Sequence, residues 1–312
     1  MENVNGKECS AAGAKRPAFS GYPNRNAKLA DLEISRALPI RERRLVGPWC
    51  FMDSFGPLSF TTGKPMNVPP HPHIGLQTVS WLLEGEILHT DSLGSEAVAR
   101  PGGVNVMTAG NGISHSEETP GRNSGRLSGV QLWVALPESA RFTAPSFVNV
   151  KEVPVLETRG GIMQVFAGTI NGAASPAPYY SGIVGLDVQV HAGSAFEVDL
   201  DPGYEHALQV LGGGCELEKN VLAERTLYYL GTGRSSLSLT SRAGCRALII
   251  GGPPFPENIL MWWNFVARTP EELTQARADW ENHRRFGEVP GDHGARLAAP
   301  DLMRFARPNP AS

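Results

Sequence analysis

Between roughly residues 45 and 136 the chain advances in short alternations of apolar and polar residues broken by Gly and Pro, as in SWLLEGEILHTDSLGSEAVARPGGVNVMTAG. A period of two places every second side chain on one face, so these runs read as strands and the breaks as turns. The spacing suits a small antiparallel barrel or sandwich. After a break near 137–160 a second series follows: GIMQVFAGTI, YYSGIVGLDVQVHAG, SAFEVDLDPG, HALQVLGGG, RTLYYLGTG, SSLSLTS and CRALIIGG. The predicted organisation is a loose tail over 1–25, one β-domain over 26–150 and another over 151–312.

The two series share a short similarity. PPHPHIGLQTVSWLLEGE and DPGYEHALQVLGGGCE each carry a Pro-bearing turn, a strand containing Leu-Gln and a Gly-containing turn, as expected of a duplicated domain. In that alignment Tyr204 and His206 stand where His71 and His73 stand. Near the end, RTPEELTQARADWENHRRFG predicts one helix, with Thr269 as cap, Pro270 in the first position and Glu272 completing a capping box. Arg284 and Arg285 suit its last turn and Gly287 its end. Its narrow stripe of Leu273, Ala276 and Trp280 predicts packing on a barrel wall.

Composition sharpens this picture. With 312 residues the chain is long enough for two cores, and 35 Gly with 25 Pro, roughly a fifth of the total, favour short strands over long helices. A formal charge of -3 leaves no broad basic surface, and the run Arg41–Leu45 reads as solvated charge, so no direct nucleic-acid partner is expected. No signal-like or membrane-spanning apolar stretch occurs, which predicts a soluble, cytoplasmic protein with no membrane partner. Cys9, Cys50, Cys215 and Cys245 are too scattered for a zinc knuckle or disulfide framework and read as small buried thiols.

The candidate chemistry lies in two short segments. Residues i and i+2 of a strand share a face, so His71 and His73 can offer two imidazoles to one ion. Forty-two residues beyond His73, in MTAGNGISHSEE, Gly110 and Gly112 mark a tight turn, after which His115 and Glu117 again share a face. Nitrogen and oxygen donors without thiolate suit Fe, Mn, Ni, Cu or Zn, and spacing does not choose among them. His89, His191, His206, His283 and His293 lack such partners and read as surface or hydrogen-bonded histidines. Ser114 and Ser116 have no G-x-S-x-G setting, and the GTG at 231–233 is too short for a phosphate loop.

The segments HPHIGLQTVSWLLEGE, RPGGVNVMTAGNGISHSEE, GVQLWVALP and GGPPFPENILMWWNFVARTPEELTQARADW resemble the pirins, bicupins of the cupin superfamily, over about residues 25–287. The resemblance implies an all-β fold of two antiparallel cupin (double-stranded β-helix) barrels packed face to face, with a C-terminal α-helix. It implies one non-haem iron in the N-terminal barrel, held by His71, His73, His115 and Glu117, other divalent transition metals being possible, and a metal-free second barrel. Some pirins open quercetin as 2,3-dioxygenases, and the mammalian member is a nuclear, redox-sensitive cofactor of transcription. Two departures stand out: HPHRGFETV becomes HPHIGLQTV, so Ile74 replaces an arginine and Gln77 a glutamate, which is expected to change charge beside the pocket.

Four protein ligands leave about two positions on an ion that prefers six. This favours oxidation of a flavonol or related enolic phenol, with Glu117 as proton acceptor because it is the sole carboxylate of the set. Phe51, Met52, Trp81 and Met107 are candidate cavity-lining residues or simple core. The alternative is a non-enzymatic regulator whose metal oxidation state alters a surface read by a protein partner. Free imidazoles titrate near 6.5, so an open site is expected to lose metal on the acid side of neutrality.

Overall fold

The computed structural model describes residues 19–29, 32–291 and 293–301. Cys9 and most of the expected tail lie outside the described residues. The first half carries β1 (Ser20–Pro23), β2 (Arg25–Leu29), β3 (Leu32–Leu38), β4 (Trp49–Ser59), β5 (Asn67–His73) and β6 (Leu76–Gly85). It continues with β7 (Ile87–Asp91), β8 (Glu96–Ala99), β9 (Val104–Thr108), β10 (Ile113–Glu118), β11 (Arg126–Ala135) and β12 (Ser146–Val150). The second half begins β13 (Val155–Thr158), β14 (Gly161–Ile170), β15 (Ala173–Ala174), β16 (Val184–Val190), β17 (Ser194–Asp199) and β18 (Glu205–Gly213). Then come β19 (Cys215–Leu217), β20 (Asn220–Leu222), β21 (Thr226–Gly231), β22 (Ser236–Ser241) and β23 (Cys245–Gly252). Among the described residues the last elements are β24 (Leu260–Trp262), β25 (Phe265–Ala267) and a single helix, α1 (Pro270–Glu281).

Each half closes a large sheet over a small one. In the first barrel the order β12-β9-β6-β11-β4-β3-β2 faces β5-β10-β7-β8. In the second, β1-β21-β18-β23-β16-β14-β13 faces β17-β22-β19-β20, with β15 paired to β14. Alternation decides what each face does. Along β11, Val130, Leu132 and Val134 enter a core shared with the second barrel, while Gln131 and Trp133 turn the other way, into a cavity of the first. On β4, Met52 joins the shared core whereas Phe51, Asp53 and Phe55 line the cavity. A sheet buried on both faces needs few exposed residues, so its polar positions serve the inside. The second barrel instead fills its interior with aliphatics such as Val165, Leu186, Val188, Leu208 and Ile249.

Side chains crossing between the barrels fix their arrangement. Trp49 Nε1 donates to the carbonyls of Gly251 (3.0 Å) and Val184 (3.3 Å). Trp81 Nε1 donates to Asp187 Oδ2 at 2.8 Å, and Arg246 holds the same buried carboxylate at 2.6–2.8 Å. The Leu-Gln similarity acquires a physical meaning here. Gln77 Nε2 on β6 donates to the Pro178 carbonyl at 3.0 Å, and Gln209 Nε2 on β18 donates to Ser54 Oγ at 3.2 Å. Each glutamine reaches from its own barrel into the other.

The halves also exchange ends. Residues 20–23, read from sequence as tail, form β1 and pair with Thr226–Tyr229 of the second barrel. The segment after 253, assigned from sequence to the second domain, returns to the first: Ile74 bridges to Phe265 and packs with Leu260, Leu273, Ala276 and Trp280. Gly75 makes this contact possible. Its φ of +69° suits glycine, and a Cβ there would lie 2.1 Å from the Val266 carbonyl oxygen.

The helix starts as expected and ends earlier. Thr269 Oγ1 accepts from the Glu272 N–H, and Glu272 reaches back to the Arg268 N–H, one residue beyond the cap. The helix stops at Glu281 with no basic residue in its last turn, which corrects the placement of Arg284 and Arg285 there. The reason is Phe286. The chain turns through His283 and Arg285, both at positive φ, to bury this ring against Phe265 and Trp280. Cys50, Cys215 and Cys245 are buried thiols, and the last two, distant in sequence, share a hydrogen bond inside the second barrel.

Candidate metal centre

The small sheet of the first barrel supplies the site. β10 runs between β5 and β7, with His115 opposite His71 on one side and opposite Asp91 on the other. Between His115 and Glu117 the β5 register shifts, so that Glu117 pairs with Val68, and the unpaired Pro69-Pro70 sits at the irregularity. Proline has no amide hydrogen to place in a ladder, so a bulge accommodates it. The Ala109–Gly112 turn before β10, closed by the Gly112 N–H on the Ala109 carbonyl at 2.9 Å, confirms the tight turn expected at Gly110 and Gly112.

His71, His73 and His115 converge with one ligand nitrogen each, all within 4.8 Å of one another. His71 Nδ1 donates to the Pro69 carbonyl (2.9 Å) and His73 Nδ1 to the Asn264 carbonyl (3.1 Å). Carbonyls only accept, so both rings are protonated at Nδ1 and carry their lone pair at Nε2. His73 Nε2 lies 3.1 Å from His115 Nε2. Imidazole lone pairs held this close repel each other, and a cation between them relieves that repulsion. The donor set therefore fits a metal ion. Glu117 is buried on the same cavity wall, with Oε1 3.4 Å from Ser80 Oγ, but it falls outside the three-imidazole group.

Burial holds these imidazoles neutral. It pushes His71 down to about 4 and His73 and His115 well below 6.5, mutual repulsion adding to the effect. Ligation requires neutral imidazole, so proton competition begins lower than for a free side chain. We expect metal content to stay level from neutrality to about pH 5 and to fall towards pH 4, the value for His71. Equilibrium dialysis with elemental analysis at stepped pH checks this; half-loss at pH 6 or above contradicts it. The metal-free protein should lose stability earlier, from about pH 6.5 down to about pH 4, because unfolded imidazoles take up protons across that window and folded ones do not.

The cavity in front of the imidazoles has a volume of about 420 Å³, within the range of small-molecule sites. Phe51 and Trp133 stack at 4.1 Å, and on the same wall Arg36 grips Asp53 with two bonds of 2.8 and 2.7 Å, its guanidinium 4.7 Å from the Phe51 ring centre. Of the four apolar candidates only Phe51 lines the cavity; Met52 and Trp81 belong to the inter-barrel core and Met107 to a separate cluster. Ile74 and Gln77 do not face the cavity either. Ile74 packs on the returning C-terminal segment, and Gln77 needs its amide to donate to Pro178, which a carboxylate cannot do. Sequence reasoning missed Trp263, Asn264 and Leu297, which complete the cavity from far along the chain. It also left His89 as an ordinary histidine, although its Nδ1 lies 3.2 Å from His115 Nδ1. The i, i+2 pair His89 and Asp91, an H-x-D on the neighbouring strand β7, was the available signal.

Two cupin barrels, one holding an imidazole cluster beside a cavity, define a bicupin. The chain belongs to the pirin family. Residues 31–134 match the Pirin family model and residues 185–287 the Pirin C-terminal cupin domain. A Pseudomonas aeruginosa protein named "Putative quercetin 2,3-dioxygenase PA1205" is 42% identical over 273 residues, 87% of this chain and 86% of that protein. A Caulobacter vibrioides pirin-like protein is 35% identical over 288 residues, 90% of this chain and 98% of its own length. The crystal structure of quercetin 2,3-dioxygenase from Acinetobacter baumannii superposes with a TM-score of 0.89 at 41% identity, covering 93% of this chain and 97% of that one. Among the described residues no helix is long and apolar enough to cross a membrane.

Proposed function

We propose that this chain is a metal-dependent oxygenase that oxidatively opens a flavonol or related enolic phenol, in the manner of a quercetin 2,3-dioxygenase. One non-haem iron would be held by His71, His73, His115 and Glu117. The observation that carries this reading is three converging imidazoles and a carboxylate on the wall of a cavity of small-molecule size. The names of the Pseudomonas relative and the Acinetobacter structure support the substrate class. The donor set suits iron and equally other divalent transition metals.

When bound, the metal supplies Lewis acidity and one-electron redox chemistry. The protein's own residues do the rest. The stacked Phe51 and Trp133, with Arg36 also over the Phe51 ring, offer aromatic edges to the cavity, and an edge-to-face contact there stabilises a bound ring by about 0.5–1.5 kcal/mol. Glu117 is poorly solvated, and without a metal burial raises its carboxyl above the ordinary range, so once loosened from the ion it would accept the enolic proton more readily than a surface carboxylate. Ser80 Oγ lies nearer Gln131 Oε1 (2.9 Å) than Glu117 Oε1 (3.4 Å), so its single proton serves the glutamine and leaves the carboxylate basic.

The test is aerobic turnover of quercetin by metal-free protein reloaded with Fe(II), Mn(II), Ni(II) or Cu(II). Loss of flavonol absorbance with matching O₂ uptake is expected for at least one metal, and Glu117→Gln should slow it by about 10²–10⁴-fold. Decay no faster than with metal-free protein, for every metal, overturns the enzymatic reading. The chain would then act through a protein partner that senses the metal's oxidation state.

A further inference from the structure

We infer that Asp91 and His89 form a directional hydrogen-bond relay that fixes the tautomer of His115 and so aims its Nε2 lone pair into the imidazole cluster. This rests on reading that cluster as a metal site. Asp91 is wholly buried, and its Oδ1 accepts from the backbone N–H groups of Leu93 (2.9 Å) and Ser95 (3.0 Å). Its Oδ2 lies 3.1 Å from His89 Nε2. A carboxylate engaged in this way only accepts, so in a neutral His89 the proton sits on Nε2 and the lone pair on Nδ1. His115 Nδ1 faces that lone pair at 3.2 Å and must donate to it. The proton on His115 is thereby held at Nδ1, and its Nε2 stays free 3.1 Å from His73 Nε2.

His89 stacks on Phe147 with centroids 4.0 Å apart and planes within 4°. His71 and His73 take their tautomers from backbone carbonyls, whose polarity is invariant. His115 alone takes its tautomer from side chains, and substitution can reverse it. His89 and Asp91 are thus positioning residues, acting through His115.

Asp91→Asn reverses the relay with little change of shape. The asparagine oxygen must face the two backbone N–H donors, which turns its NH₂ towards His89 Nε2. His89 then carries its proton on Nδ1, and His115 is forced to hold its own at Nε2, inside the cluster. Imidazole ¹⁵N shifts of the metal-free protein read the tautomers directly. The expected result is His115 protonated at Nδ1 in the wild type and at Nε2 in Asp91→Asn, with His71 and His73 unchanged. Ni(II) affinity of the variant should fall about 10–100-fold although every proposed ligand is intact. A wild-type His115 protonated at Nε2, or an Asp91→Asn protein with wild-type tautomer and Ni(II) affinity, overturns the inference. Should the variant not fold, the wild-type spectrum decides alone. Failure of quercetin turnover would defeat the oxygenase reading without moving either readout.

Discussion

His115→Ala is expected to leave a folded protein that no longer retains metal and no longer consumes flavonol. His115 is the middle member of the site: its Nε2 lies 3.1 Å from His73 Nε2, and its ring centroid is 4.4 Å from that of His71. Removing it takes away one nitrogen of three and also leaves His89 Nδ1 without its donor. Altering groups that merely orient a ligand costs about 10–100-fold in affinity, so deleting the ligand should exceed the upper figure. Elemental analysis after dialysis, with unfolding of the metal-free form as control, checks the result. Wild-type metal content in this variant would exclude the cluster as the metal centre.

The largest effect on stability is expected at Trp81. The indole is buried between the barrels, stacked on Phe166 at 5.1 Å, and its Nε1 donates to Asp187. Trp81→Ala opens a cavity in the shared core and removes a donor from a buried carboxylate, and should cost about 3–5 kcal/mol in urea unfolding. Trp81→Phe keeps the ring but not the N–H and should cost about 1–3 kcal/mol, which separates packing from hydrogen bonding. Equal losses in the two variants would show that the hydrogen bond dominates; losses below 1 kcal/mol would place Trp81 outside the interface that orders the barrels.

Much of this was readable from residue order because it depends on local rules. Period-two alternation gives strands whatever they pack against, glycines at 110 and 112 give a turn, and imidazoles at i and i+2 share a face. The helix cap at Thr269 was equally local. What escaped depends on distance along the chain. Polar residues in β4, β6 and β11 look solvent-facing by pattern, yet Asp53, Thr78 and Gln131 line a cavity because the apolar positions are committed to the other barrel. Asn264 supplies the carbonyl that orients His73 from 191 residues away, and no spacing rule reaches that far. The helix end was misjudged for a similar reason: the burial of Phe286 outweighed the preference for Arg284 and Arg285 in a last turn.

The reciprocal exchange of chain ends has a mechanical result. With β1 bound into the far barrel and residues 260–286 bound back onto the near one, the two barrels are clasped as well as joined, and swinging them apart would strip strand pairing and an aromatic cluster together. The partly exposed lining residues Trp263, Asn264 and Leu297 form one side of the imidazole pocket's rim, so that side is built on the clasped arrangement. A fragment ending near residue 150 would lack that side of the rim and the Asn264 carbonyl, so the first barrel in isolation would be an incomplete vessel for its own metal.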